Sequence, residues 1–198
     1  MSEALLLSGG MDSVCIAFWR RPKYAITIDY GQKPAAGELR AAAAVAEALG
    51  LEHFVLRADL SALGSGDLAG SAALPVAEVP EWWPFRNQML ITLAAMKAVA
   101  LEAGSLLIGA LATDGRHIDG RPEFVERMGE LLAMQEGGLR LKAPAIAMTA
   151  AELVRASGIP DEVLAWAHSC HVSEYACGGC RGCLKHYETM LELGRTPY

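Results

Sequence analysis

Four short apolar runs punctuate the chain: ALLLS at 4–8, YAITID at 24–29, EHFVLR at 52–57 and SLLIGA at 105–110. Each has the length and side-chain content of a strand. Between them the apolar spacing turns helical. One helix is expected to run from the first run's end to about Arg20, an alanine-rich one from about Glu38 to Leu49, and an apolar one from about Asn87 to Glu102. A further helix is expected from Arg121, with Pro122 in its first turn, where a missing N–H costs nothing. Its Phe124, Met128, Leu131 and Leu132 fall on one stripe, and Glu123, Arg127 and Glu130 face water; core packing accounts for that stripe without any function. Alternating strands and helices predict an α/β fold, a parallel sheet with helices on both faces. The 87–102 helix is apolar almost all round and is expected against the sheet.

The stretch 61–84, SALGSGDLAGSAALPVAEVPEWWP, breaks the alternation. It lacks periodicity and carries three glycines and three prolines, so it reads as a functional or mobile loop. Its Trp82 and Trp83 either stack on a base or pack the loop.

Composition narrows the classes. At 198 residues, 53% apolar and 20% charged, the chain is expected to form a single domain over 1–198 rather than a disordered one. No apolar stretch approaches the roughly 20 residues of a bilayer span, and Glu3 ahead of a very short apolar run argues against a signal peptide. No membrane association is expected, and a cytoplasmic location is. A net charge of −6 gives no footprint for a nucleic-acid backbone, so no nucleic-acid partner is expected.

Two stretches carry chemistry. In SGGMDS at 8–13, a strand ends at Ser8, Gly9 and Gly10 permit a tight turn, and Asp12 and Ser13 sit where a helix begins. Glycines let backbone N–H groups converge on an anion, and a helix N-terminus adds partial positive charge. No Walker lysine is present. The stretch matches every fixed position of S-G-G-x-D-S, the pyrophosphate loop of ATP pyrophosphatases. The competing account is an ordinary turn capped by Asp12 or Ser13. Cys15, one turn further on, reads as a buried small hydrophobe.

The second stretch holds Cys170, Cys177, Cys180 and Cys183, spaced x6, x2 and x2 within a C-terminal segment 168–186. Four thiolates with glycines between them suit one tetrahedral Zn²⁺ in a closed, structural site. An iron–sulfur cluster competes for the same ligands. His168, His171 and His186 lie nearby, as supporting residues or as a replacement ligand.

With both motifs in place, the chain resembles the 7-cyano-7-deazaguanine synthase family over nearly its full length. The resemblance runs through SGGMDS, DYGQ at 29–32, PFRNQML at 84–90, DGRPEF at 119–124 and SC-x6-CGGC-x2-C at 169–183. It implies an adenine nucleotide α-hydrolase-like (PP-loop ATP pyrophosphatase) fold, a homodimer and a structural Zn²⁺. It implies an ATP- and Mg²⁺-dependent ligase that converts 7-carboxy-7-deazaguanine and ammonia, through an amide, to the nitrile used in queuosine biosynthesis.

The resemblance also implies residue roles. Ser8, Gly9, Gly10, Asp12 and Ser13 would bind ATP and hold the departing pyrophosphate. Asp12 and Ser13 are the catalytic candidates, with Asp12 positioning the loop and Mg²⁺. Ile28 would read adenine through its backbone. Arg86 and Asn87 would hold phosphate or the substrate's polar edge, and Asp119 and Arg121 match the family's substrate-binding aspartate and arginine, where the acidic side chain would pair with a guanine-like N–H face. The plainer account of the last pair is surface charges capping the Pro122 helix.

Three positions depart from the family's usual pattern: Gly120 replaces a cysteine, Pro34 a histidine and Ala150 a lysine. They bear on the substrate. The alternative is a paralogue that joins a deazapurine carboxylate to an amine of a protein partner in antiviral defence.

Overall fold

A computed structural model describes residues 1–115 and 117–196. The strands are β1 (Glu3–Leu6), β2 (Tyr24–Asp29), β3 (Glu52–Arg57), β4 (Ser105–Leu107) and β5 (Arg140–Lys142). They form one sheet in the order β3-β2-β1-β4-β5, with every pairing parallel. Two expected strands are shorter than their apolar runs, yet their hydrogen bonding continues. Leu7 N–H donates to Ile26 O at 2.8 Å, and Ile108 N–H to Lys142 O at 2.9 Å.

The helices are α1 (Met11–Arg20), α2 (Ala35–Leu49), α3 (Gly66–Ala69), α4 (Arg86–Ala100), α5 (Pro122–Ala133), α6 (Ala150–Ser157), α7 (Asp161–Leu164) and α8 (Arg181–Glu192). Strand side chains alternate between faces, and that alternation divides the core. Leu5, Leu7, Ala25 and Leu107 pack with Val14 and Ile16 of α1, Val45 of α2 and Leu153 of α6. Ala4, Ile26, Ile28 and Leu106 pack with Ile91, Ala94 and Ala98 of α4 and Met128 of α5. Helices cover both faces, as the pattern predicts.

Two apolar expectations need correction. Only one side of α4 lies on the sheet; Phe85, Met89, Met96 and Val99 are exposed along the other. On α5, Met128 and Leu132 are buried but Leu131 is 47% exposed, because the contact stripe there is narrower than the run of apolar residues. The 61–84 segment holds a 3-10 turn at Ser61–Leu63 and the short α3. Trp83 is buried edge-on against Tyr30, ring centroids 5.1 Å apart. That tryptophan packs the loop.

Strand order runs outward in both directions from the β1–β4 pair. In an open parallel sheet the crevice at such a switch point, past the carboxyl ends of the strands, is where ligands bind. No helix among the described residues is long and apolar enough to cross a membrane.

Candidate active site

The SGGMDS turn leaves β1 at that switch point. Gly9 sits at φ +80°, and a Cβ there would lie 2.6 Å from Glu38 O, so only glycine lets the loop close onto α2. Gly10 begins α1 without any side-chain cap. The serines instead brace the loop: Gly10 N–H donates to Ser8 Oγ (3.2 Å), Ser13 Oγ donates to Gly10 O (2.9 Å), and the two hydroxyls lie 3.1 Å apart. The capped-turn account therefore fails. The first-turn N–H groups of α1 are left for an anion.

Asp12 does not cap the helix either. Its Oδ2 accepts from Lys185 Nζ at 3.0 Å, and the same ammonium reaches Asp114 Oδ1 at 3.3 Å. Burial pushes the Asp12 carboxyl up, and Asp114 adds to that while Lys185 opposes it. Burial disfavours the Lys185 charge, but the two carboxylates outweigh it and hold its pKa above the ordinary value. The two aspartates form a hard-oxygen pair of the kind Mg²⁺ takes.

A cavity of about 860 Å³ opens beside this loop, at the upper end of ligand-pocket volumes. It is lined by Ser8, Gly10, Asp12, Ser13, Ile28, Arg86, Asn87 and Asp119 of the residues expected from sequence, and by Lys185, Asp114, Glu38 and Glu81, which sequence reading did not single out. Gly9 lies behind the loop, outside the lining. Ile28 closes one side; its carbonyl accepts from Gln32 Nε2 at 3.3 Å. The same amide nitrogen donates to Glu38 Oε2 at 2.6 Å. Burial pushes Glu38 up to about 7, against that hydrogen bond and the nearby Arg86.

Arg86 and Asn87 form the first turn of α4, whose entry is Phe85 at φ +56°. Asp119 Oδ2 accepts the Asn87 N–H at 3.4 Å. Asp119 thus caps a helix, but α4 rather than the Pro122 helix. Arg121 does not reach the cavity: it is exposed, and its Nε donates to Gly115 O at 2.8 Å. Bracing its own loop draws it away from the expected substrate edge. Gly120 lies where a Cβ would come within 3.0 Å of Asp114 O, so a side chain there would push on the Asp114 segment. Ala150 lines the cavity as the first residue of α6, and buried Pro34 precedes α2.

The four cysteines converge. Their sulfurs all lie within 4.8 Å of one another, with Cys177–Cys183 at 4.0 Å and Cys170–Cys180 at 3.9 Å. A tetrahedral ion with bonds of about 2.3 Å places its sulfurs about 3.8 Å apart. The donor set fits one metal ion. Backbone N–H groups of Gly179 and Cys180 bring Cys177 down to about 6, while burial pushes Cys183 up to about 12; metal binding displaces the remaining thiol protons. This segment reaches the anion loop twice. His168 N–H donates to Gly9 O at 2.8 Å, and α8, which starts right after Cys180, delivers Lys185. Gly182 is required at the crossing, since a Cβ would collide with Ser169 O. Cys15 is fully buried, and burial pushes its thiol up to about 12, as an inert core residue requires.

Comparison with known proteins gives one answer at the family level. The family model "Queuosine biosynthesis protein QueC" matches residues 3–194. A 7-cyano-7-deazaguanine synthase of Pseudomonas putida is 36% identical, covering 90% of this chain and 88% of its own. That of Thiobacillus denitrificans is 36% identical (96% and 93%), and that of Methanothermobacter thermautotrophicus 32% (93% and 92%). Among solved structures, the U34-tRNA thiolase NcsA from Methanococcus maripaludis, with its [4Fe-4S] cluster, superposes with a TM-score of 0.52 at 16% identity. The alignment covers 96% of this chain and 64% of that one. At that identity the likeness speaks for the fold.

Proposed function

This chain belongs to the QueC family of queuosine biosynthesis proteins, and from that premise we propose that it is an ATP-dependent ligase turning 7-carboxy-7-deazaguanine and ammonia into 7-cyano-7-deazaguanine. The observation that carries this reading is the uncapped start of α1 opening, beside Lys185, into the cavity that also holds Arg86 and Asn87.

A carboxylate is a poor electrophile. Attack of its oxygen on the α-phosphorus of ATP breaks the bond to pyrophosphate and yields an acyl adenylate with AMP as a good leaving group. The first-turn amides of α1 and the Ser8 and Ser13 hydroxyls take the departing pyrophosphate. Lys185 swings from its carboxylates to the same charge. Asp12 and Asp114 would hold Mg²⁺, which when bound neutralises polyphosphate charge. The Ile28 backbone takes the adenine edge. Ammonia then displaces AMP to give the amide. A second ATP activates the amide oxygen, and loss of AMP and a proton leaves the nitrile. Arg86 and Asn87, fixed in the first turn of α4, orient the substrate.

The metal in this reading is Zn²⁺. The sulfurs lie at single-ion spacing, too close together for a four-iron cube to sit among them. The exposed apolar stripe of Phe85, Met89, Met96 and Val99 on α4 supports a homodimer, and the free cysteines suit the reducing cytoplasm.

The test is mass spectrometry of products formed from ATP, Mg²⁺, the carboxylate and ammonium. Free nitrile with AMP and pyrophosphate is expected. Release of ADP and phosphate overturns the adenylation chemistry, and product found only attached to a protein overturns ammonia as the acceptor.

A further inference from the structure

Glu81 lies at the end of the 61–84 segment, where the sequence carries no motif. Its side chain is 5% exposed, yet it is ionisable and faces the cavity. One oxygen is well served: Oε1 accepts from Arg181 at 2.6 Å, and His117 Nε2 lies 3.6 Å away. The other, Oε2, has no hydrogen-bond partner among the described residues. His171 Nδ1, which lines the same cavity, is also buried without a partner.

A buried carboxylate oxygen left unpaired is costly, and native structures keep such groups when a ligand or ordered water completes them. The anchoring makes this one a designed acceptor. Arg181 follows Cys180 directly, so Oε1 is tied to the cysteine segment, and Oε2 is left buried without a partner on a side chain that lines the cavity. A carboxylate held this way recognises N–H donors. Arg86 and Asn87, five and six residues further along the chain, line the same cavity.

We infer that Glu81 Oε2 is the acceptor for the N–H edge, N1–H or the 2-amino group, of the substrate's 2-aminopyrimidinone ring. The inference rests on the proposed function, since it takes the deazaguanine ring as the ligand. It moves the recognition of that edge from Asp119, whose Oδ2 is engaged by the Asn87 N–H, to a residue of the loop. Glu81 becomes a specificity residue, touching the ring and not the reacting carboxyl. His171 Nδ1 supplies a second polar contact in the same wall.

The test pairs Glu81→Gln with two analogues of the carboxylate, one lacking the 2-amino group and one methylated at N1, and reads equilibrium binding by calorimetry. A charge-assisted hydrogen bond predicts that Glu81→Gln weakens binding of the parent carboxylate about 10- to 100-fold while leaving ATP affinity within threefold. For the donor that faces Glu81, the wild type should lose a similar factor on going to the analogue, and Glu81→Gln, whose amide oxygen still accepts but carries no charge, should lose at least threefold less.

If Glu81→Gln discriminates both analogues as strongly as the wild type does, the inference is overturned and Glu81 is a strap for the loop. Should Glu81→Gln fail to fold, the wild type carries the test, and a preference under threefold against both analogues overturns it. A wild type that binds ATP but not the parent carboxylate overturns the proposed function and takes this inference with it.

Discussion

Replacing Glu38 by Gln should make the protein more stable, and increasingly so as the pH rises. Glu38 sits in the cavity wall with its Oε2 held by Gln32 at 2.6 Å, and burial raises it from 4.5 to about 7. An amide oxygen can accept the same hydrogen bond, so the substitution removes the charge and little else. The raised pKa means that the folded state prefers the protonated acid. The associated stability is fully present below about pH 4.5 and is lost as pH rises through about 7. At about 1.4 kcal/mol per pH unit, that rise sets a ceiling of about 3 kcal/mol, since Glu38 keeps some exposure. Linkage then gives the variant an advantage of about 1 kcal/mol at pH 5 and about 3 kcal/mol at pH 8. For a chain of this size the larger figure corresponds to a Tm gain of roughly 6–12 °C. Urea denaturation of both proteins at the two pH values, without nucleotide, reads it directly. An advantage that is the same at pH 5 and pH 8, or a less stable variant at pH 8, would refute the reasoning.

Lys185→Met should weaken ATP binding about 10- to 100-fold, because it removes a cation from the anion loop, while the far-UV circular dichroism stays unchanged. Retained ATP affinity would make Lys185 a spacer between Asp12 and Asp114. Purified protein should carry about one zinc per chain and be colourless; Cys180→Ala should lose the metal and expose α8 to proteolysis, and a brown, iron-containing protein would contradict the sulfur spacing. Met96→Glu, which puts a charge on the exposed stripe of α4, should convert a dimer to a monomer in sedimentation, and unaltered association would locate the interface elsewhere.

β1, β2 and β4 could be read from the chain because they are short, mainly apolar runs buried in the middle of the sheet, so pattern and burial coincide. β5 could not. Its Arg140–Leu141–Lys142 lies at the edge of the sheet and offers a single apolar residue. α8 was hidden differently: its cysteines drew attention to the metal, and its polar sequence gave no apolar run to follow. The loop residues and the cysteines were legible because their spacing in sequence is their spacing in space. Lys185 meets Asp12 across 173 positions and Asp114 across 71, and no local pattern announces a contact made by tertiary closure. Asp119 and Arg121 show the converse. They are neighbours in a matching motif, yet one lines the cavity and the other turns to Gly115.

The hydrogen bond from His168 N–H to Gly9 O, together with the reach of Lys185 from α8, makes the cysteine segment and the anion loop parts of one object. Free energy then flows both ways between them. If the metal holds the nucleotide pocket in shape, nucleotide must hold the metal by the same factor, because coupling between two bound ligands is reciprocal. A site called structural for having no open coordination position would then be a partner in occupancy. An enzyme saturated with ATP would release its metal to a chelator more slowly than an idle one, and a cell short of metal would lose its idle copies first.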